Sequence, residues 1–336
     1  MQQDLLTKWY KLSGYNLCIQ YSPGLAGELG GYLNIAPAEA GKSHLNLDLR
    51  SIDPGQLDQY LPLPAQAEQI PDFTLLLNRP VTVRSFRGDN EQWNDYQGYA
   101  RSYVSSTDAS ARVVILAGHD ILPLYTDMLF TYNLVNQLMG CYDHFAVHAA
   151  CVDHQGAGIM ISGNSGRGKS TAVFALLQRG FKILSDERVL ISKLNERYWG
   201  CSVSDIIKVR EAARERFFPD LPMEQAYGSI EDEHYFRCSA ISADSWRSHT
   251  EIKYFLVINR SDTRYSSLTP INPTRAVGEF FPVTMKAWEN REAAAKKFNF
   301  LMDFLSALPC YQLDFGTDMT QFADIIRELA EGRTAQ

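Results

Sequence analysis

The sequence predicts an α/β fold with a mixed, partly antiparallel sheet, preceded by an N-terminal α+β region. Short apolar, strand-like runs joined by tight turns follow one another in the middle of the chain: HFAVHAACV, AGIMIS, FKILS, RVLIS and RYWGCSV. Apolar residues at helical spacing predict two amphipathic helices further on, over about 290–308 and 320–331. Several short strands beside helices are typical of a mixed sheet rather than of a purely parallel one.

Composition and charge narrow the class of protein. The 336 residues are 45% hydrophobic and 21% charged, which is typical of a globular chain and excludes a disordered one. The formal net charge of −7 offers no general field for nucleic acid, so we expect no nucleic-acid partner.

The cysteines and the termini point to a cytoplasmic protein. The six cysteines are scattered and form no C-x-x-C pair, which argues against a zinc site and against a disulfide framework. The start of the chain lacks a basic segment followed by an apolar one, so no signal peptide is predicted. The most apolar later stretch, 113–140, is interrupted by charged and amide residues, so no membrane association is expected.

The chain divides into two predicted domains. Residues 1–120 mix strand-like runs, such as FTLLLN and PVTVRSF, with proline- and glycine-rich turns, and they carry no chemical motif. A helix is predicted over 123–140, where it would brace the second domain. We therefore expect an α+β region of unknown role over 1–120 and a second domain with C-terminal helices over 121–336.

The stretch ISGNSGRGKST matches the phosphate-binding pattern G-x-x-x-x-G-K-[ST]. The pattern must follow a strand and open a helix, and here AGIMIS precedes it while a helix is predicted from Lys169 to Arg179, with Gly180 as its cap. The alternative is an ordinary glycine-rich turn before a helix. The predicted nucleotide-binding residues are Gly163, Asn164, Ser165, Gly166, Arg167, Gly168, Lys169, Ser170 and Thr171.

Each part of this loop has a chemical role toward a nucleotide. The glycines let the backbone curl so that its N–H groups face the phosphates, and the positive end of the helix adds attraction for the anion. Lys169 would bridge the β- and γ-phosphates, and Ser170 would offer its hydroxyl to Mg²⁺. The sequence thus predicts a site for ATP with Mg²⁺.

An acidic pair follows the next apolar strand, in the run ILSDERV. Asp186 and Glu187 come one helix and one short strand after the loop, so we expect them beside it. A carboxylate there can hold Mg²⁺ or take the proton from an attacking hydroxyl, which makes Asp186 a candidate metal ligand and catalytic base. The alternative is a solvated turn between strands.

His148 is the third candidate. A hairpin of HFAVHAACV with AGIMIS around DHQG would place His148 opposite Ile161, next to the first glycine of the loop. An imidazole there could meet a phosphate or the catalytic carboxylate. The alternative is a half-buried histidine with a structural hydrogen bond.

The run HAACVDHQGAGIMISGNSGRGKSTAVFALLQRGFKILSDERVLI resembles the core of the HPr kinase/phosphorylase family, and more narrowly its HPr-kinase-related branch. The resemblance implies a phosphate-loop kinase fold related to phosphoenolpyruvate carboxykinase, which uses ATP and Mg²⁺ to phosphorylate a serine hydroxyl on a protein. It implies that Asp186 is the catalytic base and that Lys169 and Ser170 serve ATP and Mg²⁺. His148 would contact the phosphate region, and Glu187 would occupy the second acidic position, which is usually aspartate.

The resemblance has limits. A Glu-x-Arg-Gly-x-Gly element serves phosphorolysis in the bifunctional enzymes, but the comparable region here reads DIIKVREAARERFFPD, without those glycines. The resemblance therefore does not imply phosphorylase activity or HPr as the substrate. Lys208, Arg210 and Glu211 in this region are candidates to face the site, or else form a solvated helix start. Family members often form hexamers, which raises a homo-oligomer as an expectation.

We therefore expect a kinase that transfers the γ-phosphoryl group of ATP to a hydroxyl of a protein, peptide or small-molecule acceptor. Arg188 would orient a phosphate. Three alternatives remain open: a kinase of free serine-like small molecules, a non-catalytic ATP-binding regulatory module, and an ATPase in which Glu187 positions water. A carboxykinase would need further metal ligands and an arginine cluster that the sequence does not offer.

Overall fold

The computed structural model describes residues 5–27, 29–285 and 289–333. The chain forms two compact units, one of Met1–His144 with Lys286–Lys297, the other of Phe145–Met285 with Phe298–Gln336. The division thus falls after His144, whereas the sequence placed it after residue 120.

The first unit is dominated by one nine-stranded sheet, in the order β3-β1-β2-β4-β9-β8-β7-β6-β5. Its pairs β2–β4 and β4–β9 are parallel and the other pairs are antiparallel. The elements of this unit are β1 (Leu6–Leu12), β2 (Tyr15–Tyr21), β3 (Ala36–Pro37), β4 (Leu45–Ile52), α1 (Leu57–Tyr60), β5 (Glu68–Leu76), β6 (Pro80–Arg87), β7 (Glu91–Tyr96), β8 (Ala100–Ser105), β9 (Ser110–Leu116), α2 (Pro123–Asp127) and α3 (Asn133–Leu138).

The helical segment predicted over 123–140 belongs to this first unit, where α2 and α3 are joined by a π-helical turn. Its buried Asp127 carboxylate accepts the backbone amides of Gly30 at 2.8 Å and Tyr32 at 2.6 Å. The Tyr99 hydroxyl donates to Thr126 at 2.8 Å. These bonds fix the segment to the β2–β3 and β7–β8 connections of the first unit and explain why the boundary lies after it.

The second unit begins with β10 and contains most of the elements predicted for the core. Its elements are β10 (Phe145–His148), β11 (Ala150–His154), β12 (Ala157–Ser162), α4 (Lys169–Leu177), β13 (Lys182–Ser185), β14 (Arg188–Leu194), β15 (Arg197–Cys201), β16 (Ile206–Arg210), α5 (Glu211–Phe217), β17 (Gly228–Ile230), β18 (Glu233–Arg237), α6 (Cys238–Ile241), β19 (His249–Arg260), β20 (Ser267–Ile271), α7 (Pro273–Thr284), α8 (Arg291–Ala307), β21 (Cys310–Phe315) and α9 (Met319–Ala330). The division between the units falls within α8, after Lys297.

The large sheet of this unit is mixed, as the sequence predicted. Its order is β10-β14-β15-β19-β12-β11-β13, with β21 pairing β19 and β20, and a separate small sheet has the order β16-β18-β17. The pairs β12–β19 and β19–β21 are parallel, and the other pairs of the large sheet are antiparallel. Strands β12, β19 and β21 therefore end at the same edge of the sheet.

Helices cover both faces of this sheet. On one face, Phe174 of α4 and Phe322 and Ile326 of α9 lie in one buried cluster with strand residues. On the other, Phe280 of α7 and Phe304 of α8 lie in a second one. The two predicted C-terminal helices are confirmed as α8 and α9. None of the described helices is long and apolar enough to cross a membrane.

The predicted register of the first hairpin is wrong. The turn contains only Gln155 and Gly156, with φ of 52° and 91° as in a type I′ turn, so Ala150 and not His148 lies opposite Ile161. The strand is also broken at Ala149, and His148 belongs to β10, where it pairs with Arg188 of β14. The four-residue turn assumed from DHQG was two residues too long.

The antiparallel strand pairing is interrupted where the acidic pair lies. Strands β10 and β11 run along β14 and β13, with His148 opposite Arg188 and Cys151 opposite Ser185. Asp186 and Glu187 fall between these pairs, outside both strands. Such local disruptions turn side chains out of a sheet, and here they turn two carboxylates toward the glycine-rich loop.

Candidate active site

A cavity of about 590 Å³ lies in the second unit, where the glycine-rich loop, the break between β13 and β14 and the ends of β19 and β21 meet. Ligands bind preferentially at the carboxyl ends of strands in α/β sheets, and this cavity follows that rule. The predicted residues that line it are His148, Ser165, Gly166, Gly168, Lys169, Ser170, Thr171, Asp186 and Glu187.

Three predicted loop residues do not line the cavity. Gly163 and Asn164 contribute carbonyl groups to the loop interior instead. The Arg167 guanidinium donates to the Asn259 side chain at 2.6 Å, so it ties the loop to the strand beside it. The cavity side of the loop is thus formed by its tip and by the first turn of α4.

Lys169 opens α4 and points back into the loop. Its side chain is buried, and Nζ donates to the carbonyl of Gly163 at 2.5 Å and to that of Asn164 at 3.3 Å. Burial lowers the pKa of Lys169, and the Asp186 charge opposes that shift. A buried ammonium held by neutral carbonyls is poised to interact with an anion that enters the loop.

Asp186 is the most buried carboxylate of the site, with 3% of its surface exposed. The backbone amide of Lys208 donates to Oδ2 at 3.1 Å, while Oδ1 is buried and has no hydrogen-bond partner within residues 5–27, 29–285 and 289–333. Burial raises the pKa of Asp186 to about 6, against the opposing effects of Lys208 and Ser170. One oxygen is thus held in place and the other is available to a metal ion or a proton.

Glu187 differs in its ionisation. The Ser185 hydroxyl accepts the amides of Glu187 at 3.3 Å and Arg188 at 3.1 Å, which shapes the turn that carries both acids. Burial would raise the pKa of Glu187, but the charges of Lys208, Arg188 and His148 outweigh burial and lower it. The two neighbouring carboxyl groups therefore have pKa values displaced in opposite directions, as in acid–base sites.

His148 reaches the cavity by a different route from the predicted one. It lies opposite Arg188 on the neighbouring strand and contributes to the electrostatic field at Glu187. The sequence placed it beside the loop, and the structure places it beside the acidic turn. Arg188 itself does not line the cavity.

The small sheet of β16, β18 and β17 supplies residues that the sequence only partly identified. Lys208 lines the cavity, and its ammonium pairs with Glu233 at 3.1 Å, as does the Arg210 guanidinium at 3.2 Å. Burial would lower the pKa of Lys208, but the charges of Glu187 and Glu233 outweigh burial and raise it. Glu211 does not line the cavity; it pairs with Arg214 and His234. The position of Glu233 in the site could not be predicted from the sequence, because it depends on the pairing of β18 with the distant strand β16.

The opposite side of the cavity comes from the ends of β19 and β21. Arg260, Asp262, Phe315 and Thr317 line it there, and none of them was predicted. The rule that ligands bind at the carboxyl ends of strands could have indicated them, had the parallel order of β12, β19 and β21 been known. No group of three or more His, Cys, Asp or Glu side chains in the described ranges is placed to hold a metal ion.

Gly168 is the loop position where a side chain should cost most. It caps α4 at φ +96°, and a Cβ there would lie 3.0 Å from the Phe315 ring. We expect Gly168→Ala to lower the free energy of unfolding by about 1–3 kcal/mol from backbone strain, and by more from the ring contact. Gly166→Ala is the matched control, because Gly166 has φ +81° but a Cβ added there would have no described residue's atom within 4 Å. Urea denaturation of both variants would measure the difference, and equal losses would contradict the role given to Phe315.

The comparisons with known proteins agree with the resemblance. Residues 142–212 match the family model of the HPr Serine kinase C-terminal domain. The resemblance to the HPr kinase family is confirmed over this segment. Residues 142–212 contain the glycine-rich loop, the acidic turn and strand β16.

Individual relatives match over parts of their length. The HPr kinase/phosphorylase of Mycoplasmopsis pulmonis is 38% identical over 85 residues, 23% of this chain and 28% of the relative. That of Leptospira biflexa is 24% identical over 138 residues, 40% of this chain and 42% of the relative. The chain thus matches less than half of the length of either relative. The structure of the Hpr(Ser) kinase/phosphatase from Coxiella burnetii covers 56% of this chain and 97% of its own, at a TM-score of 0.32 and 11% identity.

Proposed function

We propose that this chain is an ATP- and Mg²⁺-dependent kinase that transfers the γ-phosphoryl group to a serine hydroxyl, with a phosphate-loop kinase core in its second unit. The observation that carries the proposal is the meeting of Lys169, Ser170 and Asp186 in one cavity. A glycine-rich loop alone implies only that an anion binds. A buried carboxylate of raised pKa beside that loop adds a group able to accept a proton.

The residues present fit Mg²⁺ bound together with a nucleotide. Ser170 would offer its hydroxyl to the ion, and Asp186 would hold the ion through a water molecule. Its Oδ1, which has no hydrogen-bond partner within residues 5–27, 29–285 and 289–333, can then still accept a proton. Mg²⁺ characteristically takes one or two protein oxygens together with substrate phosphates and water, so a site of few protein ligands suits it. The ion would neutralise charge on the phosphates.

The roles of the protein groups follow from their environment. The loop amides and the Lys169 ammonium would hold the β- and γ-phosphates of the ATP substrate. Asp186 would accept the proton of the acceptor hydroxyl, with the Lys208 amide fixing its orientation. Glu187, whose pKa is lowered, would stay ionised and hold the Lys208 and His148 side chains electrostatically.

The acceptor we favour is a protein or peptide, because the matched relatives are named for kinases of the protein HPr. The glycine-containing element absent from 205–220 sets this chain apart from the bifunctional enzymes. We propose a cytoplasmic location, which the six free cysteines support.

The rate of transfer should depend on pH through Asp186. The base acts in its ionised form, and burial places the pKa of Asp186 at about 6. Transfer should therefore fall tenfold per pH unit below about pH 6 and level off above it. The pH dependence of kcat/KM for ATP between pH 5 and 8.5, which reports the groups of the free enzyme, would measure this. A flat profile over that range would contradict the assignment of Asp186 as the base.

The proposal itself is tested with purified protein, γ-labelled ATP, Mg²⁺ and a mixture of serine-containing peptides. We expect phosphoserine, identified by mass spectrometry, and no product when Mg²⁺ is removed by a chelator. Release of free phosphate without any phosphopeptide would instead favour an ATPase.

A further inference from the structure

Arg216 is a positively charged residue of the cavity to which the proposed transfer reaction assigns no role. It lies on α5, lines the cavity and is exposed. Its guanidinium carbon stands 4.9 Å from the centre of the Phe217 ring, which also lines the cavity. In the described part of the chain the Arg216 side chain has neither a hydrogen bond nor an ion pair. Stacking on an aromatic ring restrains the guanidinium without neutralising it.

The other cations of the β16–α5 segment are already paired with acids. Lys208 and Arg210 share Glu233, and Arg214 pairs with Glu211 at 2.5 Å. Arg216 is therefore the residue through which this wall of the cavity presents an uncompensated positive charge. An uncompensated, ring-stacked guanidinium favours a carboxylate or a phosphate.

The position of α5 decides between these two anions. Strand β16 leads directly into α5, and the β16 amide of Lys208 holds the Asp186 carboxylate. Arg216 thus belongs to the wall that contacts the proposed base. The loop and Lys169, which would hold the phosphates, are supplied by β12 and α4. An anion bound at Arg216 is then expected to be part of the acceptor, near the hydroxyl that is to be phosphorylated.

We infer that Arg216 is a specificity-determining residue that binds a carboxylate of the acceptor, so that the acceptor is a peptide segment with an acidic residue beside its serine. This inference rests on the proposed kinase function. It adds a substrate class and a residue that selects it. A rim guanidinium of this kind acts mainly on the encounter with substrate and on its selection.

The test compares serine peptides whose neighbouring positions carry Glu, Gln or Lys, with γ-labelled ATP as phosphate donor. The wild-type enzyme should prefer the Glu peptides by about three- to fivefold in kcat/KM, the scale of an ion pair made by an exposed side chain. Arg216→Gln should remove that preference while changing the KM for ATP and the rate on Gln peptides less than twofold. Arg216→Glu should shift the preference toward the Lys peptides, an outcome that a merely structural role would not give.

Arg197→Gln is the matched control. Arg197 is likewise exposed, but it pairs with Glu251 near the start of β19, at the opposite end of that strand from the cavity. The Arg197→Gln variant should keep the wild-type preference for the Glu peptides. Equal wild-type rates on all three peptide classes would overturn the inference while leaving the kinase function intact. A loss in Arg216→Gln that is the same for every peptide, with a raised KM for ATP, would assign Arg216 to the nucleotide instead. No phosphorylation of any peptide by the wild type would contradict the proposed function itself.

Discussion

Replacement of Asp186 by asparagine should lower phosphoryl transfer by about 10²–10⁴-fold, the usual contribution of a general base, and leave ATP binding within a few fold. Asparagine keeps the shape of the side chain and its hydrogen bond from the Lys208 amide, but it cannot accept the proton. The measurement is the single-turnover transfer rate together with a calorimetric dissociation constant for ATP.

The same variant should not be less stable than the wild type. The pKa of Asp186 is about 6 in the folded chain, above its ordinary value of 3.8, so its ionisation lowers stability progressively from about pH 4 and by the full amount above pH 6. Asparagine removes that cost, and Tm at pH 8 should stay equal or rise. Asp205→Asn is the control, because Asp205 is also buried but lies outside the cavity and pairs with Arg237. Transfer by Asp186→Asn at the wild-type rate would show that another group is the base.

Replacement of Lys169 by methionine should lower transfer by about 10²–10³-fold, the loss found when one preorganised charge-stabilising donor is removed. Affinity for ATP should also fall, by about 10–100-fold, because hydrogen bonds to charged groups are lost. Methionine keeps the length of the buried stem without its ammonium. Burial lowers the pKa of Lys169, which means that it destabilises the charged ammonium in the folded chain, and methionine removes that charge.

Lys182→Met provides the matched control for Lys169. Lys182 lies on β13 and pairs with Asp244 at 2.6 Å, away from the cavity lining. Both variants should fold, as judged by circular dichroism, and only the Lys169 variant should lose nucleotide affinity. Unchanged ATP affinity in Lys169→Met would contradict the role given to the loop.

Local pattern was enough to predict the elements around the loop. The apolar run 157–162, the glycines and the helix that starts at Lys169 follow one another directly in the chain, so their contacts need no knowledge of the fold. Asp186 was placed beside the loop by chain length alone. The acidic turn lines the same cavity, and it follows the end of β13 as the sequence suggested.

What depended on distant pairing could not be predicted. His148 was assigned to the wrong partner because a break at Ala149 and a two-residue turn leave little trace in an alternating apolar run. Glu233 reaches Lys208 only because β18 pairs with β16 across a long connection. The ends of β19 and β21 reach the cavity through a parallel strand order that no local pattern encodes.

We propose that this cavity transfers a phosphoryl group to a hydroxyl with Asp186 as the base. It is tested most directly by incubating the wild type and Asp186→Asn with γ-labelled ATP, Mg²⁺ and a soluble cell lysate, and by separating protein, metabolite and free phosphate. Label should enter protein as phosphoserine with the wild type and should be absent from protein with the variant. Label found only as free phosphate, or protein labelled equally by both, would contradict it.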